Sequence, residues 1–268
     1  MVELMVDHVL ILHDDLELGA LAASRLGFRP TPTGHHGQGM GTANTTLMMP
    51  DRATYIELLT VTEATEKSAP MRAAMDARGE PHIFGIALKG EAEAAAAHFA
   101  QAGISGGPAF GFSRPVDLSG ESAEARFSIA LMAGGAIPGL HTFVCQHHAR
   151  DVTWRPDFLD QPNTAQALLS IEGQAADLDE IAASWSRMMG RPAKRDGGDV
   201  LIETGTANVR YRQGVGAPIL TLLRFAVSDL QKTRACLAGN GVVFTAEGDE
   251  IQVSDELGLG VAIAFAAV

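Results

Sequence analysis

The sequence predicts an α+β chain of four βαβββ modules, joined as two consecutive pairs. Three observations carry this. The order strand, helix, three strands recurs four times along the 268 residues; glycine stops each helix, at Gly27, Gly103, Gly190 and Gly239-Asn240-Gly241; and a proline-bearing connector at 151–163, containing Trp154-Arg155-Pro156 and Pro162-Asn163, separates residues 1–150 from 164–268.

In the first module (residues 1–61), 4–12 is apolar and alternates loosely, as a strand does. Asp14, Asp15 and Glu17 suit a helix N-terminus, 18–26 repeats apolar residues at helical spacing, and Gly27 ends the run. An extended stretch at 28–32, a glycine-rich loop at 35–41, and strands at 44–49 and 54–61 complete it, the last two divided by the Pro50-Asp51 turn. A helix-favouring link at 64–78 leads to the second module (80–148), with a strand at 82–88, an Ala-rich helix at 91–102 and strands at 110–112, 125–131 and 140–146. The third module places a strand at 165–172, a helix at 177–189 and strands at 199–203 and 207–212. The fourth has a strand at 219–227, a helix at 229–238 and strands at 242–246, 250–254 and 260–267.

Composition removes several function classes. Twenty Lys and Arg against 32 Asp and Glu leave a net charge of −12, which opposes binding to nucleic acid or to anionic membrane. Mean hydropathy is +0.09, and no uninterrupted apolar stretch is long enough to span a bilayer. Acids at Glu3 and Asp7 occupy the place where a signal peptide needs a basic segment, so the expected location is cytoplasmic. Cys145 and Cys236 are too few for a disulfide framework and read as inert buried thiols. All nine histidines precede Arg150, which confines imidazole chemistry to the first half.

Superposing the first two modules sets Asp7-His8-Val9-Leu10-Ile11 on Pro81-His82-Ile83-Phe84-Gly85, with His8 and His82 in register. Together with Leu26-Gly27-Phe28, Gly39-Met40-Gly41-Thr42-Ala43-Asn44 and Tyr55-Ile56-Glu57-Leu58-Leu59, these segments resemble the vicinal oxygen chelate superfamily, and in particular its glyoxalase-like branch. The resemblance implies two paired-module (glyoxalase/bleomycin-resistance-like) domains. It also implies a divalent metal held by the first and last strand of each module, here His8 and Glu57, then His82 and Gln146. An amide at Gln146 stands where a carboxylate is commonest, and His148, of the same strand parity, is its substitute. Zn, Ni, Mn and Fe all accept such donors. The implied activity is that of a lyase or isomerase on a small oxygen-chelating substrate. A ring-cleaving Fe(II) dioxygenase and a non-catalytic binding protein are the alternatives, and a homodimer is admissible.

The residues also argue for themselves. Glu57 interrupts an apolar strand, where a lone carboxylate costs several kcal/mol unless its pKa rises, it reaches solvent, an arginine pairs with it or a metal compensates it. As a ligand able to loosen from the metal, Glu57 is also a candidate base. His35 and His36 lie in the glycine-rich loop, where His36 is a candidate substrate-facing acid or base or else a solvated loop residue. His13 and His98 read as packing residues. Residues 164–268 have no histidine and read as a degenerate glyoxalase-like domain without metal ligands, in which Arg210 and Arg224 face solvent or an acid, with anion binding as the alternative.

Overall fold

A computed structural model describes residues 2–37, 39–118 and 121–268, with side chains described outside 114–118 and 121–123; Gln38 of the expected glycine-rich loop lies outside the described residues. The first half runs β1 (Met5–Leu12), α1 (Leu16–Arg25), β2 (Gly34–His35), β3 (Thr42–Met48), β4 (Tyr55–Val61), α2 (Ala69–Arg78), β5 (His82–Lys89), α3 (Ala92–Gln101), β6 (Phe110–Leu118), β7 (Glu121–Leu131) and β8 (His141–His147). After α4 (Arg150–Thr153) in the connector come β9 (Ala165–Ala175), α5 (Leu178–Met189), β10 (Lys194–Asp196), β11 (Asp199–Ile202), β12 (Asn208–Gln213), β13 (Ile219–Val227), α6 (Leu230–Gly239), β14 (Thr245–Glu247), β15 (Glu250–Val253) and β16 (Ala262–Ala267). Four βαβββ modules are present, as the sequence predicts.

Each pair of modules makes one eight-stranded sheet, in the orders β2-β3-β4-β1-β5-β8-β7-β6 and β10-β11-β12-β9-β13-β16-β15-β14. Modules join through their first strands: β1 runs antiparallel to β5, and β9 antiparallel to β13. Within a module the first and last strands are parallel neighbours, so β1 lies beside β4 and β5 beside β8.

Three helices start with the same device. Asp15, Asp177 and Asp229 each accept the backbone N–H groups two and three residues on, satisfying donors the first turn leaves open. The long β6–β7 hairpin exceeds the predicted 110–112 and 125–131 because Pro115 and the acids at 117, 121 and 124 mask the strand pattern. β6 is an edge strand, where a proline removes no needed hydrogen bond.

One apolar core spans both halves, with α1, α3 and α5 contributing Leu16, Phe99 and Trp185. Phe28 packs against Phe225 and Phe265, with ring centroids 5.0 and 5.9 Å away. Gly27 (φ +77°) both ends α1 and touches the other half, since a Cβ there would stand 2.6 Å from Cys236 Sγ. The peptide of Val6 is gripped by two hydroxyls of the second half: its N–H donates to Thr204 Oγ1 (3.2 Å), and its carbonyl accepts from Thr206 Oγ1 (2.7 Å). A separate apolar cluster, including Leu10, Leu12, Leu59, Ala87 and Phe127, lines the inner face of the first sheet and is covered by Met71, Ala74 and Met75 of α2. Among the described residues no helix is long and apolar enough to cross a membrane.

Candidate active site

The inner face carries a hydrogen-bonded chain that begins at a bulge in β1. Val6 pairs with Leu88 and His8 with Ala87, so Asp7 is the extra residue, and the bulge lets it share the side of the sheet that His8 faces. Asp7 Oδ2 accepts from His8 Nδ1 at 2.8 Å and from His147 Nε2 at 3.0 Å. Arg150 Nη1 lies 3.6 Å from the other oxygen. With Nδ1 donating to Asp7, His8 turns Nε2 toward Glu57 Oε2, 3.3 Å away. The reach follows from parallel pairing, which sets His8 beside Tyr55 and Leu10 beside Glu57, so both side chains emerge on one face.

Glu57 Oε1 accepts from Asn44 Nδ2 at 2.6 Å and lies 3.6 Å from His36 Nε2. His36 Nδ1 is hydrogen-bonded to Thr42 Oγ1 at 2.7 Å. The loop that delivers His36 turns at Gly41 (φ +66°), where a Cβ would stand 2.4 Å from the Glu63 carbonyl oxygen. Tyr55 stacks on the His8 ring at 4.4 Å, and Phe143 meets it edge-on at 5.9 Å. Asp7, His8 and Glu57 are buried, Glu57 at 6% exposure.

Burial alone would neutralise these groups; their mutual contacts reverse that. Burial raises the Asp7 carboxyl, but hydrogen bonds from His147 and His8 overcome it and hold Asp7 well below the usual carboxylate range. Burial lowers the His8 imidazole, yet hydrogen bonds to Asp7 and Glu57 push it up to about 9. Glu57 is brought down to about 2, because its hydrogen bond and charge interaction with His8 and the charge of His36 outweigh its desolvation. Before any cation binds, His8 is therefore an imidazolium between two carboxylates at neutral pH, and a metal at Nε2 would have to displace its proton.

The structure brings His8, Glu57 and His36 together and leaves His82, Gln146 and His148 elsewhere, which corrects the expected convergence of His82 on His8. His82 pairs with Leu12, four residues along β1 from His8, or about 13 Å. The superposition of Asp7-His8 on Pro81-His82 fails because bulges on the β1–β5 seam shift the register. Reciprocal pairing, with Leu10 opposite Gly85, and the parallel β5–β8 register make Gly85 and Phe143 the mates of His8 and Glu57. Gln146 faces outward and caps α3: its Oε1 accepts the Ala92 N–H (3.1 Å) and its Nε2 donates to Glu91 Oε2 (2.7 Å). It thus does for α3 what the cap aspartates do for α1, α5 and α6. His148 bonds Ser128 Oγ. His13 and His98 bond the carbonyls of Gly258 and Met188, across the two halves.

Sequence reasoning missed Asp7 and His147, and it missed Glu172 in the second half. Glu172 is a buried strand carboxylate, paired with Arg224 Nε (2.9 Å) and Arg212 Nη2 (3.1 Å) and bonded by Ser170 Oγ (2.7 Å). Arg210 joins Asp196 and Asp199, so the arginines of this sheet face acids.

The donors give a partial match to a metal centre. Of the four strand positions that would supply ligands, two carry donors (His8, Glu57) and two do not (Gly85, Phe143). His36 adds a third donor from a loop. Asp7, His8 and His147 form a group of ligand-type side chains with ligand atoms within 4.8 Å of one another, although Asp7 there accepts hydrogen bonds from both rings.

Comparison with solved structures finds the same fold in distant proteins. A hypothetical protein from Staphylococcus aureus aligns with a TM-score of 0.73 at 12% identity, covering 99% of this chain and 100% of its own. A triple mutant of 4-hydroxymandelate synthase from Streptomyces coelicolor aligns at 0.64 and 12% identity, covering 100% and 93%. A xylose isomerase-like TIM barrel/4-hydroxyphenylpyruvate dioxygenase fusion protein aligns at 0.60 and 12% identity, covering all of this chain and 49% of the fusion. Comparison with curated proteins gives no match. A family model described as a glyoxalase-like domain matches residues 6–189, well over half of the sequence and beginning at the strand that bears Asp7 and His8. The chain belongs to the glyoxalase-like domain family, within the vicinal oxygen chelate superfamily.

Proposed function

We propose that the first half is an enzyme acting on a small oxygen-bearing substrate, with His8, Glu57 and His36 as its working residues and a divalent cation held by His8 Nε2 and Glu57. One observation carries the reading: each imidazole has its Nδ1 engaged, by Asp7 or Thr42, so that both Nε2 atoms face one buried carboxylate, at 3.3 and 3.6 Å. Ligand histidines are typically held by a partner on the other ring nitrogen, and imidazole with carboxylate suits Zn, Ni, Mn or Fe. When bound, the cation supplies Lewis-acid polarisation of substrate oxygens.

The chain's own groups supply the rest. Glu57 is the proton acceptor, steadied at Oε1 by the Asn44 amide. His36, reaching the same oxygen, is the partner to give or take a proton on the loop side. Asp7 fixes the ring of His8, while Tyr55 and Phe143 limit water around it. Proton transfer beside a polarised oxygen is the chemistry of a lyase or isomerase; oxygen uptake with catechols would instead indicate a ring-cleaving dioxygenase.

A second reading, metal-free acid–base chemistry or ligand binding by the His8 imidazolium, is favoured by the Asp7–His8–Glu57 chain, in which a carboxylate faces each ring nitrogen of His8 without a cation. Metal analysis of protein purified without chelators separates the two. Stoichiometric metal in the wild type, lost in Glu57→Gln and in His8→Gln, is the expected result. A wild type with no metal and no thermal shift on adding Zn, Ni, Mn or Fe leaves the metal-free reading.

A further inference from the structure

The far end of the first sheet's inner face holds a cavity of about 360 Å³ that the His8 centre does not use. Its volume is in the range of small-molecule sites. Ala74 of α2, Phe84 of β5, Leu140 before β8 and Ile219 of the second half give it apolar walls, and His82 and His141 supply its imidazoles.

Three features define what would fit. His82 Nδ1 is bound to the Glu80 carbonyl oxygen at 2.8 Å, so it carries the proton and Nε2 is a bare acceptor. The His141 ring lies flat against Phe84, with ring centroids 5.0 Å apart and an angle of 22°, and makes no hydrogen bond to the side chains or backbone of the described residues. Burial lowers both imidazoles and so favours their neutral forms. The charged residue in the lining is Arg78, whose Nε is 3.8 Å from Glu80 Oε1, so no unpaired cation is present to draw an anion.

We propose that this cavity is a second small-molecule site, selective for a neutral, apolar molecule bearing one hydroxyl, which donates to His82 Nε2 while the apolar body lies along the Phe84–His141 pair. A bare acceptor calls for a donor, and a wall whose arginine already has a carboxylate partner gives a second carboxylate little to gain. The site lies about 13 Å along the strand from His8 and does not depend on how the His8 centre is read.

The test titrates the full-length chain with phenol and, separately, with benzoate, following the methyl resonances of Met132 and Ile137 at the cavity and of Ile251 and Ile263 in the second half. Saturable shifts at the cavity methyls with phenol, and none with benzoate, are expected. His82→Phe keeps the apolar volume and removes the acceptor, so it should weaken phenol binding about tenfold. Ala74→Trp should fill the cavity and abolish binding. Unchanged Ile251 and Ile263 resonances identify variants that keep the fold, and either variant suffices. Phenol shifts that fail to saturate, are matched by benzoate, or persist undiminished in a folded variant would overturn the proposal.

Discussion

Replacing Asp7 by Asn removes one negative charge from the centre and leaves its shape nearly intact. In the wild type the His8 imidazolium is held from 6.5 up to about 9 by Asp7 and Glu57 together, a preference of about 3 kcal/mol at 1.36 kcal/mol per unit. Removing one member of a buried ionic set leaves its partners uncompensated, so a loss of about 3 kcal/mol is expected at neutral pH. The loss should depend on pH in a defined way. A raised histidine contributes fully below 6.5, and its contribution disappears as pH climbs through about 9. Asp7, held below its ordinary value, contributes above 3.8, and that contribution is lost as pH falls through its lower folded value. The gap between wild type and Asp7→Asn should therefore be widest between about pH 5 and 7 and narrow by about pH 9.5. Urea unfolding of chelator-treated protein across that range measures it, provided the denaturant slope stays constant. A gap below about 1 kcal/mol, or one that does not vary with pH, would refute the argument that His8 is charged because of Asp7.

Gln146→Ala should cost about 1 kcal/mol by uncapping α3 and leave metal content unchanged, which metal analysis and urea unfolding check together. Gly41→Ala should disturb the loop that carries His36, because both its positive φ and the Glu63 carbonyl oppose a Cβ; nuclear magnetic resonance should show His36 displaced and His8 unmoved. Glu172→Gln should destabilise the protein at neutral pH, and the difference should shrink on acidification, since arginine pairing depresses this carboxyl and its contribution is lost as pH falls through the folded value. An undiminished difference at low pH would assign Glu172 to packing.

The fold was legible because its punctuation is local. Glycines end the helices, aspartates begin three of them, and the order of elements repeats, all within reach of neighbouring residues. Glu57 was legible for a similar reason, as a charge in an apolar strand. Register is a different kind of information. His8 and His82 look alike in their strands, but the bulges that separate them by several residues arise where β1 meets β5, and no short segment records that meeting. Asp7 was hidden by strand alternation, which assigns it to the face opposite His8; the adjacent Asp-His pair at a strand start was the available signal. His147 was hidden by the choice of Gln146 as the inward residue of β8, because alternation then turns His147 to the other face. Glu172 stood at the predicted end of its strand, but the strand continues to Ala175.

The grip of Thr204 and Thr206 on Val6 bears on how this chain can be divided. The residue they hold immediately precedes Asp7, so a half of the molecule without histidines fixes the backbone from which the His8 chain begins. Residues 1–150 expressed alone would lose both anchors at the most sensitive point of β1, together with the Phe225 and Phe265 faces against which Phe28 packs. A unit that preserves this geometry has to include the strands of the second half that carry Phe225 and Phe265 and the turn that carries Thr204 and Thr206. Truncation, domain shuffling or transplantation of the first sheet onto another scaffold would have to rebuild that two-hydroxyl clasp before the centre itself was touched.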